Sequence, residues 1–198
     1  KGFASGEIDL KGYDKFLTTY GEYLIIEKPS FASNMKFMFQ YQFGYMYGRY
    51  LLWNFVGRQN DNQGKYDDMN GNWITGIAFI DELLVGSQKN LTSDMQNNKG
   101  RNIYFGLPFI LALLGIFYHA KKDVKSFYVL LALFLFTGLA LKIYLNERPF
   151  EPRERDYALV GSFYVFAIWI GIGVYAIFDT LRKWMQPKIV FSVVFIAS

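Results

Sequence analysis

The pattern of apolar and polar positions divides this chain near residue 102. Before that point polar and apolar residues are mixed. After it, apolar runs dominate. Ile103 to Tyr118, Phe127 to Leu145 and Tyr157 to Phe178 are each close to the length that crosses a hydrocarbon core as a helix, about 20 residues. Ile189 opens another run. The pattern therefore predicts spans over 103–119, 127–145, 157–178 and 189–198, the last incomplete. Pro108 falls near the start of the first, where a missing N–H is tolerated.

Residues 1–102 read as a water-facing segment of helices and loops. A short helix is expected around Asp14 to Ile26, ended by Pro29. Ser33 or Asn34 can cap a longer helix running to about Val56. Its rings, from Phe37 through Tyr41, Tyr45 and Tyr50 to Phe55, suit a helix lying at the headgroup level, an aromatic interfacial helix over about 34–56. A helix packed on its own core reads equally well. An Asn-, Asp- and Gly-rich loop to Asn72 follows, then a short helix or interface segment over Trp73 to Leu84. The fold class is an all-α membrane protein: several transmembrane helices plus a polar, mostly helical and loop segment.

Composition supports this division. Of 198 residues, 52% are hydrophobic, the larger part of them after residue 102, and 20% are aromatic. There is no Cys, which excludes disulfides and thiolate chemistry within this sequence. The one His, His119, ends an apolar run and is read as an interfacial residue. The net charge of +4 is spread out and forms no basic stripe, so no nucleic-acid partner is expected. The sequence opens at Lys1 without a leader-like pattern and stops inside an apolar run, as an internal piece of a larger multi-pass protein would. Asn90-Leu91-Thr92 is a glycosylation triplet that matters only in a secretory setting.

Counting Lys and Arg between the spans leaves orientation tied: Lys121, Lys122 and Lys125; Arg148, Arg153 and Arg155; Arg182, Lys183 and Lys188. Lys142 sits one turn inside its span and is expected to snorkel to the interface. The loop at 146–156 offsets its cations with four acids, which favours placing it, together with 1–102, on the extracytoplasmic side.

Whichever side that is, the topology puts Trp53 to Asp61 and Asn146 to Asp156 on the same face of the membrane. Arg58, Arg148, Arg153 and Arg155 are candidate anion clamps, since guanidinium suits bidentate phosphate recognition. Asp61, Glu147, Glu151, Glu154 and Asp156 are candidate bases or partners for those arginines. The plainer reading is a salt-bridge network pinning one loop to the other, with Asp156 capping a helix. No phosphate-loop, zinc-protease or nucleophile-elbow motif occurs, and no metal site is expected. The spans contain no acid, which weighs against an ion-coupled transporter.

Three stretches carry a family resemblance: Arg49 to Asp61 (RYLLWNFVGRQND), Gly71 to Ile77 (GNWITGI) and Glu151 to Tyr164 (EPRERDYALVGSFY). They resemble large bacterial multi-pass proteins first known as a domain of unknown function and grouped with the protein O-mannosyltransferase-like glycosyltransferases. The resemblance covers roughly Phe37 to Asp179. It implies a GT-C type fold in the bacterial cytoplasmic (inner) membrane. It also implies sugar transfer, with mannose the expected sugar, from a polyprenyl-phosphate donor to a protein hydroxyl or glycan acceptor. No cofactor is implied beyond the lipid-linked sugar itself. The catalytic acid of that class lies on an early external loop, expected before Lys1, so none is assigned. The motif positions carried over are Trp53, Asn54, Arg58, Asn60, Asp61, Glu151, Arg153, Glu154, Arg155 and Asp156. Arg58, Arg153, Arg155 and Arg148 would bind phosphate, and the others would orient them or the acceptor. The competing functions are a non-catalytic membrane scaffold that docks a partner on helix 34–56, and a lipid-linked glycan transporter.

Overall fold

The computed structural model describes residues 10–23, 28–89, 91–147 and 156–184. These are mostly helical. The incomplete span over 189–198, Asn90, and the charged residues Arg148, Glu151, Arg153, Glu154 and Arg155 lie outside the described residues.

Helix α1 (Leu10–Tyr20) runs into a 3-10 turn at Gly21–Tyr23, earlier than the sequence suggested. The next helical run is continuous but mixed. It passes from α2 (Phe31–Phe37) through a π-helical stretch (Met38–Arg49) into α3 (Tyr50–Phe55). Its cap is Ser30, not Ser33 or Asn34: the Ser30 side chain accepts from the Ser33 N–H. Extended φ/ψ angles place Ser30 just before the helix, where a hydroxyl can satisfy a first-turn donor.

A small antiparallel ladder, missed in the sequence, joins β1 (Gly57–Arg58) to β2 (Asn102–Ile103). Two-residue strands carry no readable alternation, so only the pairing reveals them. Between them lie α4 (Ala78–Val85) and the single turn α5 (Ser93–Gln96). Because Ile103 is in β2, the first apolar helix begins later than expected. Phe105 and Gly106 turn the chain in the left-handed region, and α6 runs Leu107–Lys122. Its 16 residues span about 24 Å, short of the roughly 30 Å hydrocarbon core.

Among the described residues, two runs are long and apolar enough to cross a membrane, Val124–Leu145 and Tyr157–Leu181. The first comprises α7 (Val124–Leu135), a π-helical stretch (Phe136–Ala140) and α8 (Leu141–Leu145). Asp123 caps it, accepting from the Ser126 N–H at 3.2 Å and the Ser126 hydroxyl at 2.5 Å. These bonds hold the Asp123 carboxyl below the usual carboxylate range. The second is α9 (Asp156–Leu181).

α6 and α9 lie side by side and run the same way, with Phe109 against Phe166 and Tyr118 against Tyr175. Two glycines set their separation. A Cβ on Gly115 would lie 1.9 Å from the Trp169 carbonyl oxygen, and one on Gly173 would lie 1.9 Å from that of Leu111. Gly171, two residues before Gly173, faces open space. The core of the helical layer is Ala112, Val165, Phe166 and Trp169, with Phe55, Phe127 and Phe134 packed around it. Trp169 donates to His119 Nδ1 at 3.4 Å, so the lone His lies against the helix layer.

Since Phe109 faces Phe166, the first turns of α9 overhang the start of α6. That overhang is covered by α3 and the π-helical stretch before it: Tyr47, Tyr50 and Leu159 form a second core with Trp53, Leu139 and Phe163. The aromatic helix therefore divides its roles. Its later half packs on the apolar helices, while Phe31 and Phe39 remain exposed.

Candidate functional site

The polar segment after α3 folds back onto it. Arg49 is buried; its Nη1 donates to the Gly71 carbonyl oxygen and its guanidinium lies 4.5 Å from the Tyr45 ring centre. The Tyr45 hydroxyl accepts from the Tyr66 N–H at 2.6 Å, and Trp53 Nε1 donates to the Asn60 carbonyl at 2.9 Å. The loop over 59–72 is thus stapled to one face of the helix.

Two buried amides close the loop on itself. Asn60 Nδ2 donates to the Met69 carbonyl at 2.8 Å, while Oδ1 accepts from the Gly71 N–H at 2.8 Å and the Asn62 N–H at 3.2 Å. Gln59 Nε2 donates to the Asp68 carbonyl at 2.7 Å, and its Oε1 accepts from Asn72 Nδ2 at 3.1 Å. Buried amides must be satisfied in this way, or each orphaned group costs about 1–3 kcal/mol. Gly71, at φ 62, has no room for a Cβ, which would meet the Asn62 carbonyl oxygen at 2.5 Å. Further on, Asp81 is buried and accepts from the Thr75 N–H (2.7 Å), the Thr75 hydroxyl (2.8 Å) and the Gly76 N–H (2.8 Å). It is a loop anchor, which the sequence did not single out.

Arg58 sits at the edge of this scaffold, in β1. Its guanidinium lies 4.0 Å from the Trp53 ring centre, and Nη2 donates to Asn54 Oδ1 at 3.2 Å. Asn54 is held in turn by donating to the Tyr50 carbonyl at 2.9 Å. Stacking fixes the guanidinium plane. Arg58 Nε is buried and has no hydrogen-bond partner among the described residues. Asp61 is exposed. Its neighbour across the loop is Gly100, whose Cβ would lie 2.5 Å from the Asp61 Cβ.

Asp156, the described end of the other candidate motif, adjoins the same end of the helices. Trp53 packs in the core that contains Leu159, one helical turn beyond Asp156. Asp156 begins α9, as the N-terminal position expected of it. The remaining hairpin candidates, Arg148, Glu151, Arg153, Glu154 and Arg155, lie outside the described residues.

The beginning of the hairpin is described, and it corrects one expectation. Lys142 does not snorkel to the interface, whereas the arginines that Glu147 was expected to partner lie outside the described residues. Lys142 Nζ meets Glu147 Oε2 at 2.6 Å, with both side chains 4% exposed. Between them Asn146 takes a left-handed conformation (φ 41, ψ 50), which Asn tolerates, and ends α8. That turn swings Glu147 back over Lys142. Gln42 Nε2 donates to Asn146 Oδ1 at 3.2 Å, so the π-helical stretch grips the turn.

Next to this pair the Tyr47 hydroxyl shares a short hydrogen bond with Ser162 Oγ, deep inside the helix layer. Gly138, in the second π-helical stretch, makes the space, since a Cβ there would lie 2.6 Å from the Tyr47 hydroxyl oxygen. Burial pushes the Tyr47 phenol up to about 12. The layer of Gln42, Tyr47, Lys142, Asn146, Glu147 and Ser162 joins three chain segments. Of these the sequence singled out Lys142, a lone cation in an apolar run, and Glu147, as a candidate base or arginine partner. No cluster of His, Asp or Glu suited to a metal ion occurs among the described residues.

Comparison with family models, with curated proteins and with solved structures finds no match.

Proposed function

We propose that the chain is part of a membrane glycosyltransferase. It would move a sugar, mannose in the first instance, from a polyprenyl-phosphate donor to a protein hydroxyl or glycan acceptor. The apolar runs Val124–Leu145 and Tyr157–Leu181 supply membrane crossings by length and composition. α6 completes the layer as a shorter, glycine-packed helix, and the polar segment and hairpin share the outer side of a bacterial inner membrane.

The observation that carries the reading is Arg58. Its plane is preset by Trp53 and Asn54, yet Nε is buried with no partner among the described residues. Most buried donors are paired, so an orphan on a planar, preorganised cation suits recognition of an anion brought by a substrate. A lipid-linked phosphate is the anion available beside a bilayer. In this reading Arg58, with Arg148, Arg153 and Arg155, clamps the donor phosphate and stabilises it as a leaving group. Trp53 and Asn54 are positioning residues. Asn60 acts through the loop it closes, and Asp61, Glu151, Glu154 and Asp156 orient the arginines or the acceptor.

The test uses the full-length protein and a polyprenyl-phosphate sugar. Arg58→Ala, and separately Arg153→Ala, should lower transfer at least tenfold while the helical circular dichroism and melting temperature stay near wild type. Normal turnover by a folded Arg58→Ala protein would remove the phosphate role and leave the scaffold reading. That alternative has its own support in Phe31 and Phe39, exposed on the aromatic helix as a docking face would be.

A further inference from the structure

At the opposite end of the helix layer, beyond their glycine contact, α6 and α9 line a groove of about 370 Å3. Leu114, Phe117, Ala176, Ile177 and Leu181 form its apolar wall, and Tyr118, Lys121 and Thr180 its polar end. The groove opens sideways, because Leu114 and Phe117 are exposed, the latter at 65%.

The charges around its end are uneven. Lys121, Lys122, Lys125, Arg182 and Lys183 stand against Asp123 and Asp179, five cations to two acids among the described residues. Both acids are already engaged. Asp123 caps α7 through Ser126. Asp179 receives the Tyr118 hydroxyl at 3.0 Å, meets Arg182 at 2.6 Å and lies 3.9 Å from Lys122. Lys121 lines the groove and has no ion-pair partner among the described residues.

We propose that this groove is a binding site for an anionic phospholipid: one acyl chain lies along the α6–α9 wall and the headgroup phosphate rests against Lys121. An apolar trough opening toward lipid, ended by an uncompensated cation at headgroup depth, matches that ligand in both polarity and charge. A neutral lipid would fill the trough but leave Lys121 uncompensated. The proposal rests on the reading of α6 and α9 as membrane-embedded.

The experiment places the full-length protein in nanodiscs of equal parts phosphatidylglycerol and phosphatidylcholine. Lipids retained after gentle extraction are counted by native mass spectrometry. Wild type should retain phosphatidylglycerol in preference. Lys121→Gln should cut that preference about fivefold, the factor one interfacial cation carries. Lys125→Gln, at the same end but away from the groove, should leave it unchanged. Ile177→Trp should lower retention of both lipids. A benzophenone side chain at position 117 should capture phospholipid. Insertion without any Lys121-dependent preference, an equal loss in Lys125→Gln, or photocapture of the chain's own 185–198 segment would overturn the proposal alone. Failure to insert at all would overturn the membrane reading and this proposal with it.

Discussion

Removing one partner of the Lys142–Glu147 pair gives the sharpest test of the described geometry. Glu147→Gln keeps the shape of the side chain but leaves the Lys142 ammonium, 4% exposed, without its counter-charge. A 2.6 Å charge-assisted bond in a dry setting is strong, and breaking a buried pair from one side costs about 3–5 kcal/mol. For a chain of this size each kcal/mol moves the melting temperature by about 2–4 °C, so a drop of roughly 6–20 °C is expected. Lys142→Met should lower the melting temperature as well, because it leaves the buried Glu147 carboxylate without this cation. The double variant Lys142→Met/Glu147→Leu should recover most of the loss, since well-packed apolar replacements of buried pairs are often neutral. The assay is thermal unfolding in detergent followed by the tryptophan fluorescence. If Glu147→Gln melts with wild type, or the double variant melts no higher than the worse single, then the pair is not buried and the turn at Asn146 does not fold as described.

Other outcomes follow from named contacts. Gly173→Ala should destabilise by about 1–3 kcal/mol or more, because its Cβ meets backbone on Leu111 that cannot rotate away; Gly171→Ala, facing open space, is the neutral control in the same melt. Tyr47→Phe should cost about 1 kcal/mol at pH 8 by leaving Ser162 without its Tyr47 partner. With the phenol at about 12 in the fold and 10.0 unfolded, its contribution is whole below pH 10 and is lost as pH rises toward 12; the gap between wild type and Tyr47→Phe should narrow in that window, and parallel pH profiles would contradict the burial. Asp81→Ala should loosen the 71–85 segment by about 2–3 kcal/mol, since it orphans the Thr75 and Gly76 N–H groups, and amide exchange at those residues should quicken.

Local signals were legible where the chain alone supplies them. The apolar run after Asp156 yields α9 within a few residues of the expected bounds, because an unbroken run needs no partner to declare itself a helix. Pro108 duly lies in the first turn of α6. The aromatic helix was also legible in extent, although its cap and its π-helical winding were not. Of the candidate site, the sequence singled out Trp53, Asn54 and Arg58, and they do come together, since residues one turn apart on a helix and at its end are neighbours by geometry.

What the sequence by itself determined was a mostly helical chain whose second half is built of apolar runs, with a charged connection between two of them; of the four spans it predicted, two are long and apolar enough to cross a bilayer among the described residues. Only the tertiary structure decided that Lys142 turns inward to Glu147, that Tyr47 reaches Ser162, and that Gly115 and Gly173 rather than Gly171 bring two helices together. A snorkelling lysine and a buried one read alike, because the difference is the left-handed turn at Asn146 and the helix packed over it. Periodicity records which side of a helix is apolar; it does not record what distant segment will arrive to meet it.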